Sequence, residues 1–376
     1  MTGRMICSRC VMDNSNPHIS YDELGHCNCC SDAFLRMPFE WFRGADGRQR
    51  LDSLAQRLKA EGQGKQYDAM IGLSGGVDSA YLAHLLRTEY DLRLLAVHVD
   101  GGWNTEPAVR NIEILVKALN IDLHTQVIEW SEMRDLQLSF LKAAVLNQDM
   151  PQDHAFFATL YRTARKFGLH HFLSGVNFSS ESIIPPGWGY TSIDGKHVKA
   201  LHSRFGREQL RTFPVMGAFE YIWMTRIRRQ LTIDRPLNFV DYDKQTAKQE
   251  LIRLYGYKDY GSKHSESRFT KFYQDVYLPK RYDFDKRRLH LSSQIVAGQI
   301  SRDEALAELE TPICDPHQTR QDEKFVAKKL QITVAELREL MELSPVEHTS
   351  YPNNEKLYQF GVSMKSFLRG RARNTK

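Results

Sequence analysis

The stretch Tyr67–Ala80 reads YDAMIGLSGGVDSA, and its layout decides the fold expected of the chain. A short apolar run, Ala69–Leu73, ends in Ser74-Gly75-Gly76-Val77-Asp78-Ser79 and opens into the helix-patterned AYLAHLLRTEY. A strand, a glycine turn and a helix start together form an anion site. The amides of the first helical turn are unpaired there, and the helix dipole adds partial positive charge. Gly75 and Gly76 permit positive φ and leave no Cβ between the backbone and a phosphate. Ser74 and Ser79 add hydroxyl donors. Asp78 would repel a bare phosphate, so its place in the loop argues for a bridging Mg2+.

The loop is not a Walker A motif, because no Gly-Lys-Ser/Thr is present. It resembles the SGGxDS signature of the PP-loop ATP pyrophosphatases, which split ATP into AMP and pyrophosphate. That resemblance implies adenylation of a carbonyl oxygen, after which a nucleophile displaces AMP. It makes Ser74, Gly75, Gly76, Asp78 and Ser79 ATP- and pyrophosphate-binding residues, with Asp78 catalytic. A plain glycine turn between any strand and helix is the bland alternative; the complete signature with correct flanks on both sides weighs against it.

Beyond the signature the hydrophobic period alternates. Leu92–Val99 reads as a buried strand ending in Asp100-Gly101-Gly102-Trp103-Asn104, and Thr105–Asn120 as a helix with Thr105 as N-cap and Pro107 in its first turn. Leu123–Glu129 is a third strand, Met133–Leu146 and His154–Phe167 are helices, and His170–Gly175 is a fourth strand. Strands alternating with helices predict an α/β fold built on a parallel doubly wound sheet of the PP-loop (HUP-like) kind. Ligands in such sheets bind beyond the carboxyl ends of the strands. Asp100, Asn104 and Gly175 therefore join the signature as candidate ATP-binding residues. Taken singly, each has a plain reading as turn or cap; their coincidence at successive strand ends favours the functional one.

Working outward to the N-terminus, Asp46–Gln66 reads as an amphipathic helix with a glycine-rich link. Before it stand Cys7-x2-Cys10 and, after sixteen residues, Cys27-Asn-Cys-Cys30. Two such knuckles have the spacing of a zinc ribbon, with Cys7, Cys10, Cys27 and Cys30 closing one tetrahedral, structural site. Cys29 competes with Cys30 for the fourth position, and an iron–sulfur cluster competes with Zn2+. So small a module needs its metal to fold. The expected organisation is a zinc-binding module at 1–40, an ATP pyrophosphatase domain at 46–240, and a mostly helical C-terminal region at 241–376.

That last region opens with GSKHSESRFTKFYQDVYLPKRYDFDKRRLHLS at 261–292. Eight Lys/Arg and four Asp/Glu lie between Lys263 and Arg288, interleaved with aromatic residues that must pack and would hold the cations in place. A charge run is usually a solvated face, but fixed cations suit a triphosphate or a uronate sugar nucleotide. Lys271, Lys286 and Arg287 are the catalytic candidates here, and Lys263, His264, Glu266 and Arg268 the substrate-binding ones. Phe219–Gln230 reads as a helix whose aromatic face belongs in the core, and Pro185–Gly189 as a rigid loop over the crevice. Ser301–Glu304 and Thr333–Glu336 read as capping boxes. The helix-turn-helix appearance of Phe325–Leu340 does not imply DNA binding, since Glu336, Glu339 and Glu342 would repel phosphate.

Several segments together narrow the resemblance. The RCVMD start with its two knuckles, GLSGGVDS, HVDGGWN and KHSESRFTKFYQD…DKRRLHLSS are similar to the bacterial N-acetyl sugar amidotransferases of the WbpG/PseA type. The family implies conversion of an acetamido group on a nucleotide-linked sugar, of the UDP-diacetamido uronic acid type, into an acetamidino group. ATP, Mg2+ and Zn2+ are the implied cofactors, and O-antigen or other surface-polysaccharide biosynthesis the setting. Ammonia must come from elsewhere: no G-x-C-x-G glutaminase motif is present, and residue 2 is Thr rather than a nucleophilic Cys. A separate glutaminase is therefore implied, and the family resemblance suggests a HisH-like one, of the kind found in imidazole glycerol phosphate synthase, with a HisF-like cyclase as companion. The rival within the superfamily is tRNA thiolation, but sulfur transfer needs cysteines near the ATP, and after residue 30 only Cys314 remains. A nucleotide-binding scaffold without catalysis is a further rival, which the intact signature disfavours.

Bulk properties agree. The 376 residues carry 41% hydrophobic and 26% charged residues, as in a soluble globular protein, and a formal net charge of +5 that favours no particular partner. No apolar run approaches membrane-spanning length and no charged-then-apolar leader is evident, so a cytoplasmic protein binding neither membrane nor nucleic acid is expected.

Overall fold

The computed structural model describes residues 4–185, 187, 190–224, 231–259 and 266–358. Five strands, Ala69–Gly72 (β1), Leu94–Asp100 (β2), Asp122–Val127 (β3), His171–Leu173 (β4) and Thr232–Asp234 (β5), form one sheet in the order β3-β2-β1-β4-β5. Every pairing is parallel, with Ile71 opposite Ala96 on one side of β1 and Leu173 on the other. β1 and most of β2 are buried on both faces and so read as continuous apolar runs. β3 lies at an edge, where Asp122, His124 and Gln126 are tolerated and discourage further pairing.

Asn28–Glu40 (α1) and Gly44–Glu61 (α2) precede the sheet. Val77–Thr88 (α3) follows β1, and Glu106–Leu119 (α4) follows β2. Trp130–Ala143 (α5) and Met150–Phe167 (α6) separate β3 from β4. Phe178–Glu181 (α7), Gly195–Phe205 (α8) and Ala218–Ile222 (α9) separate β4 from β5. Successive side chains of a strand face opposite ways. Ala69 and Ile71 of β1 accordingly pack with Leu51, Leu58, Leu82 and Leu115 of α2, α3 and α4. Met70 packs on the other face with Leu95, Val97, Phe172 and Leu160 of α6. Both faces are covered, as the doubly wound reading requires.

The helix ends show where sequence signals worked. Thr105 precedes α4, Pro107 sits in its first turn, and Asn120 stops it in the left-handed region at φ 50°. α5 begins three residues earlier than expected and stops where Ala144 turns left-handed. α6 begins at Met150 rather than His154 because Pro151 is compatible with a first turn, where no amide partner is needed. The aromatic helix at 219–230 differs from expectation: Phe219 and Trp223 stack on one another at 6.1 Å but are 78% and 41% exposed, so they are not core, and 225–230 lie outside the described residues.

Beyond β5, Lys244–Tyr255 (α10) packs on α3 and α4. Arg268–Phe272 (α11) runs through a π turn at Tyr273–Tyr277 into Leu278–Tyr282 (α12), followed by Arg287–Val296 (α13). Arg302–Glu310 (α14), Pro316–Leu330 (α15) and Val334–Glu342 (α16) complete the described helices, and both capping boxes form at Ser301/Glu304 and Thr333/Glu336. The cysteine-bearing N-terminus shares a core with this region. Arg288 donates to the Val11 carbonyl at 2.8 Å and pairs with buried Asp13 at 2.8 Å, and Arg302 donates to the carbonyls of Cys7 and Cys10.

Buried His154 fastens α6 to the segment before α9. Its Nδ1 lies 2.7 Å from the Ser192 carbonyl, and its Nε2 accepts from the Met216 amide at 2.9 Å. Burial pushes its pKa down to about 4. The neutral ring is the bound form, so its contribution is complete above pH ~6.5 and is lost as the pH falls toward 4, a loss on the order of 3 kcal/mol. Thermal melts should show stability falling between those values, and less steeply in His154→Gln, whose neutral amide can make both bonds.

Candidate active site

The strand order changes direction at β1, whose neighbours β2 and β4 send their chains to opposite sides. The crevice this leaves is where open parallel sheets take ligands. It holds a cavity of about 750 Å3. Ser74, Gly76, Asp78, Ser79, His98, Asn104, Ser174 and Gly175 line it from the sheet, and Glu266, Ser267, Thr270, Tyr273, Gln274 and Lys286 from the segment around α11. Phe156, Phe157, Phe172 and Ile233 give it an apolar side.

The signature loop is fixed by its own side chains. Ser74 Oγ accepts from the Gly76 amide at 3.2 Å and lies 3.4 Å from Ser79 Oγ, which donates to the Gly76 carbonyl at 3.1 Å. Gly75 has φ +88°, and a Cβ there would come within 2.6 Å of the Ala108 carbonyl, so both conformation and space require glycine. A Cβ on Gly76 would collide with the Glu266 carboxylate. Gly175 serves close approach: a Cβ would lie 3.0 Å from the Ser79 amide. Asp78, in the first turn of α3, accepts from the Tyr242 hydroxyl.

At the end of β2, Asp100 shapes the turn rather than lining the cavity. Its Oδ1 accepts from the Gly102 amide at 2.8 Å and from Asn104 Nδ2 at 3.1 Å. Asn104 Nδ2 also lies 3.1 Å from His98 Nε2, while His98 Nδ1 lies 2.8 Å from the Leu73 carbonyl. Both contacts are met with His98 donating from Nδ1 and accepting at Nε2. Asn104 then bridges Ser267 in antiparallel fashion, with Thr105 N–H on the Glu266 carbonyl and Arg268 N–H on that of Trp103, each at 2.8 Å. This bridge carries Glu266 to the mouth of the loop.

The basic segment divides. Glu266 and Lys286 reach the cavity; Lys263 and His264 lie outside the described residues. Arg268, Lys271 and Arg287 are not brought to it. Arg268 pairs with Asp322 at 3.2 Å and lies over the Phe325 ring, and Lys271 pairs with Asp275 at 2.9 Å and Asp322 at 3.4 Å. Arg287 holds Asp285 at 2.8 Å and donates to the Thr311 carbonyl. The helical period explains the split: Thr270, Tyr273 and Gln274 share one face, and Arg268 and Lys271 turn toward α15. The cavity is consequently lined by Asp78, Asp149, Asp153, Glu181 and Glu266 against Arg235 and Lys286. A polyphosphate in such surroundings calls for a bound cation.

Asp149 and Asp153 escaped the sequence reading. Burial, with Asp153 nearby, pushes the Asp149 carboxyl up to about 8, although the Thr270 hydroxyl donates to it at 3.1 Å. Asp153 is exposed, with Ser192 Oγ donating to it at 3.1 Å, and desolvation by the surrounding protein pushes its carboxyl up to about 6, Lys286 opposing the shift. The signal was present as two acids four apart across Pro151 at a helix start, where they share a face.

The four thiols of Cys7, Cys10, Cys27 and Cys30 are buried, and their sulfurs lie within 4.8 Å of one another. Cys7 and Cys30 are 3.8 Å apart and Cys10 and Cys27 3.5 Å. A tetrahedral ion with metal–sulfur bonds of ~2.3 Å spaces its sulfurs by roughly 3.8 Å, so the residues fit one. Amides of Arg9, Cys10, Cys27 and Cys30 donate to Cys7 or Cys27, and the Arg9 guanidinium lies 3.2 Å from Cys30 Sγ. These donors compensate thiolate charge. Cys29 is not one of these four; its sulfur lies 3.6 Å from Asn28 Oδ1.

Residues 266–365 match the family model described as LPS biosynthesis protein WbpG-like, C-terminal domain. The match begins at Glu266 and takes in the cavity residues through Lys286, so the resemblance read from the sequence is borne out over that stretch. No curated protein matches the sequence significantly. Among solved structures the chain is similar to NMN synthetase from Francisella tularensis, at 14% identity and TM-score 0.37 over 81% of this chain and 99% of that one. NH3-dependent NAD synthetase from Campylobacter jejuni gives 14% and 0.30 over 80% and 99%. The U34-tRNA thiolase NcsA from Methanococcus maripaludis, with its [4Fe-4S] cluster, gives 14% and 0.32 over 82% and 88%.

Elemental analysis should separate the knuckle cysteines. Cys29→Ser should retain the metal content of the unaltered chain, whereas Cys30→Ser should lose metal and melt at lower temperature.

Proposed function

We propose that this chain is an ATP-dependent N-acetyl sugar amidotransferase that turns an acetamido group of a nucleotide-linked sugar into an acetamidino group. The observation that carries the reading is the juxtaposition of two segments in one cavity. The SGGVDS loop supplies its floor, and the stretch matched by the WbpG-like family supplies the facing wall. Among the described residues no cysteine lines the cavity, which favours a nitrogen nucleophile over a sulfur relay.

The unpaired amides at the start of α3 would bind phosphate, with Ser74 and Ser79 donating beside them. The apolar side formed by Phe156, Phe157 and Phe172 suits a base. Asp78 with the two serine hydroxyls is a hard oxygen set that fits Mg2+, which when bound supplies charge neutralisation at the departing pyrophosphate. The amide oxygen attacks the α-phosphorus of ATP and pyrophosphate leaves. Ammonia then adds at the activated carbon and AMP departs with the former amide oxygen, the surplus proton passing to a cavity carboxylate. Lys286 lies where it can neutralise an anionic sugar or phosphate.

Zn2+ fits the four-thiolate site better than an iron–sulfur cluster, which would spread the thiolates more widely. With no glutaminase motif in the chain, ammonia is supplied by a separate HisH-like glutaminase, with a HisF-like companion. The family description names LPS biosynthesis, and we place the reaction in the cytoplasm, in O-antigen or other surface-polysaccharide assembly.

Incubation with ammonium, Mg-ATP and a UDP-linked diacetamido uronic acid should release AMP and give a product in which NH has replaced O. Absence of both sinks the proposal. Asp78→Ala should lower AMP formation by on the order of 100-fold or more with the fold intact. Lys271→Ala and Arg287→Ala should act mainly through stability.

A further inference from the structure

Two tyrosine hydroxyls hold the signature loop from behind, and they flank the same helix. Tyr242, just before α10, donates to Asp78 Oδ1 at 2.5 Å. Tyr257, just after it, donates to the Gly75 carbonyl at 2.7 Å. Each is only 4% exposed, and neither lines the cavity. Because α10 packs on α3 and α4, both hydroxyls are carried by an element braced against the helix that the loop begins.

The two bonds act on different parts of the loop. The Gly75–Gly76 peptide is trans, so a carbonyl drawn toward Tyr257 turns the Gly76 N–H to the opposite side, where it donates to Ser74 Oγ. At Asp78, Tyr242 takes one oxygen. Among the described residues no protein donor engages the other, and Asp78 lines the cavity. Tyr242 is itself constrained: its carbonyl accepts from Gln299 Nε2 at 2.8 Å, and its ring lies 5.6 Å from that of Tyr81. A carboxylate fixed through one oxygen offers the other as a single, oriented ligand, which is how a neighbour tunes a metal ligand.

We propose that Tyr242 is the positioning residue for Asp78, setting the carboxylate oxygen that takes the divalent cation accompanying ATP. Tyr257 instead fixes the Gly75–Gly76 peptide and, through the Gly76 amide, the Ser74 hydroxyl that would meet phosphate. The inference rests on reading the loop as an ATP site.

The test uses full-length Tyr242→Phe, which keeps the ring and removes the hydroxyl. Mn2+ binding is followed by electron paramagnetic resonance in the presence of a non-hydrolysable ATP analogue, alongside the Mg2+ dependence of AMP formation and thermal melting. Mn2+ affinity should weaken by about 10-fold or more. The Mg2+ concentration for half-maximal rate should rise in parallel, with the KM for ATP at saturating Mg2+ and the melting temperature close to wild type. Tyr257→Phe should show the converse, a raised KM for ATP with unchanged cation dependence. Unaltered Mn2+ affinity in Tyr242→Phe overturns the proposal, as does an equal loss of cation-free analogue binding. If the unaltered chain itself neither binds Mn2+ with the analogue nor forms AMP, the ATP reading fails and the proposal with it; that result is seen before any variant is made.

Discussion

The feature on which the rest depends is the parting of the chain at the carboxyl end of β1. β2 and β4 flank β1 in parallel, and the loops leaving them diverge to opposite sides. The first-turn amides of α3 lack intrahelical partners at that gap, and glycines stand where backbone or a carboxylate closes around it. Gly75 faces Ala108, Gly76 lies under Glu266, and Gly175 meets Ser79. The C-terminal region then completes the site by laying Ser267 against Asn104.

Charge is distributed against simple intuition. Three cations of the basic segment, Arg268, Lys271 and Lys280, neutralise buried Asp322 and Glu323 of α15 and so hold the helical region together. Breaking one side of such a pair leaves a buried charge uncompensated, which explains why these residues occur together. The cavity itself is richer in carboxylates. A site of that character handles a polyanion through bound cations rather than through a basic wall.

The sheet, its flanking helices, both capping boxes and the four-cysteine cluster were legible in the sequence, because strand–turn–helix signals, N-cap chemistry and knuckle spacing are local. The loop residues Ser74 to Ser79, with Asn104 and Gly175, lie together for the same reason: each ends a strand. What was not legible was direction. Counting charges could not tell that Lys286 faces the cavity while Lys271 and Arg287 face away, since that depends on the phase of helices packed against distant partners. Asp149 and Asp153 were hidden because their helix follows another helix rather than a strand. The exposure of Phe219 and Trp223 shows the converse, an aromatic pattern without a core behind it.

The cysteine module is tied mechanically to the chemistry. Arg288 and Arg302 fasten it to α13 and α14, and α13 begins directly after Lys286. The central claim is nevertheless chemical: the loop activates an amide oxygen so that nitrogen can replace it. Following 18O from an acetamido carbonyl tests this most directly. With labelled nucleotide sugar, ammonium and Mg-ATP, the account predicts 18O in the phosphate of AMP and none in pyrophosphate. Product formation with AMP free of label would contradict it.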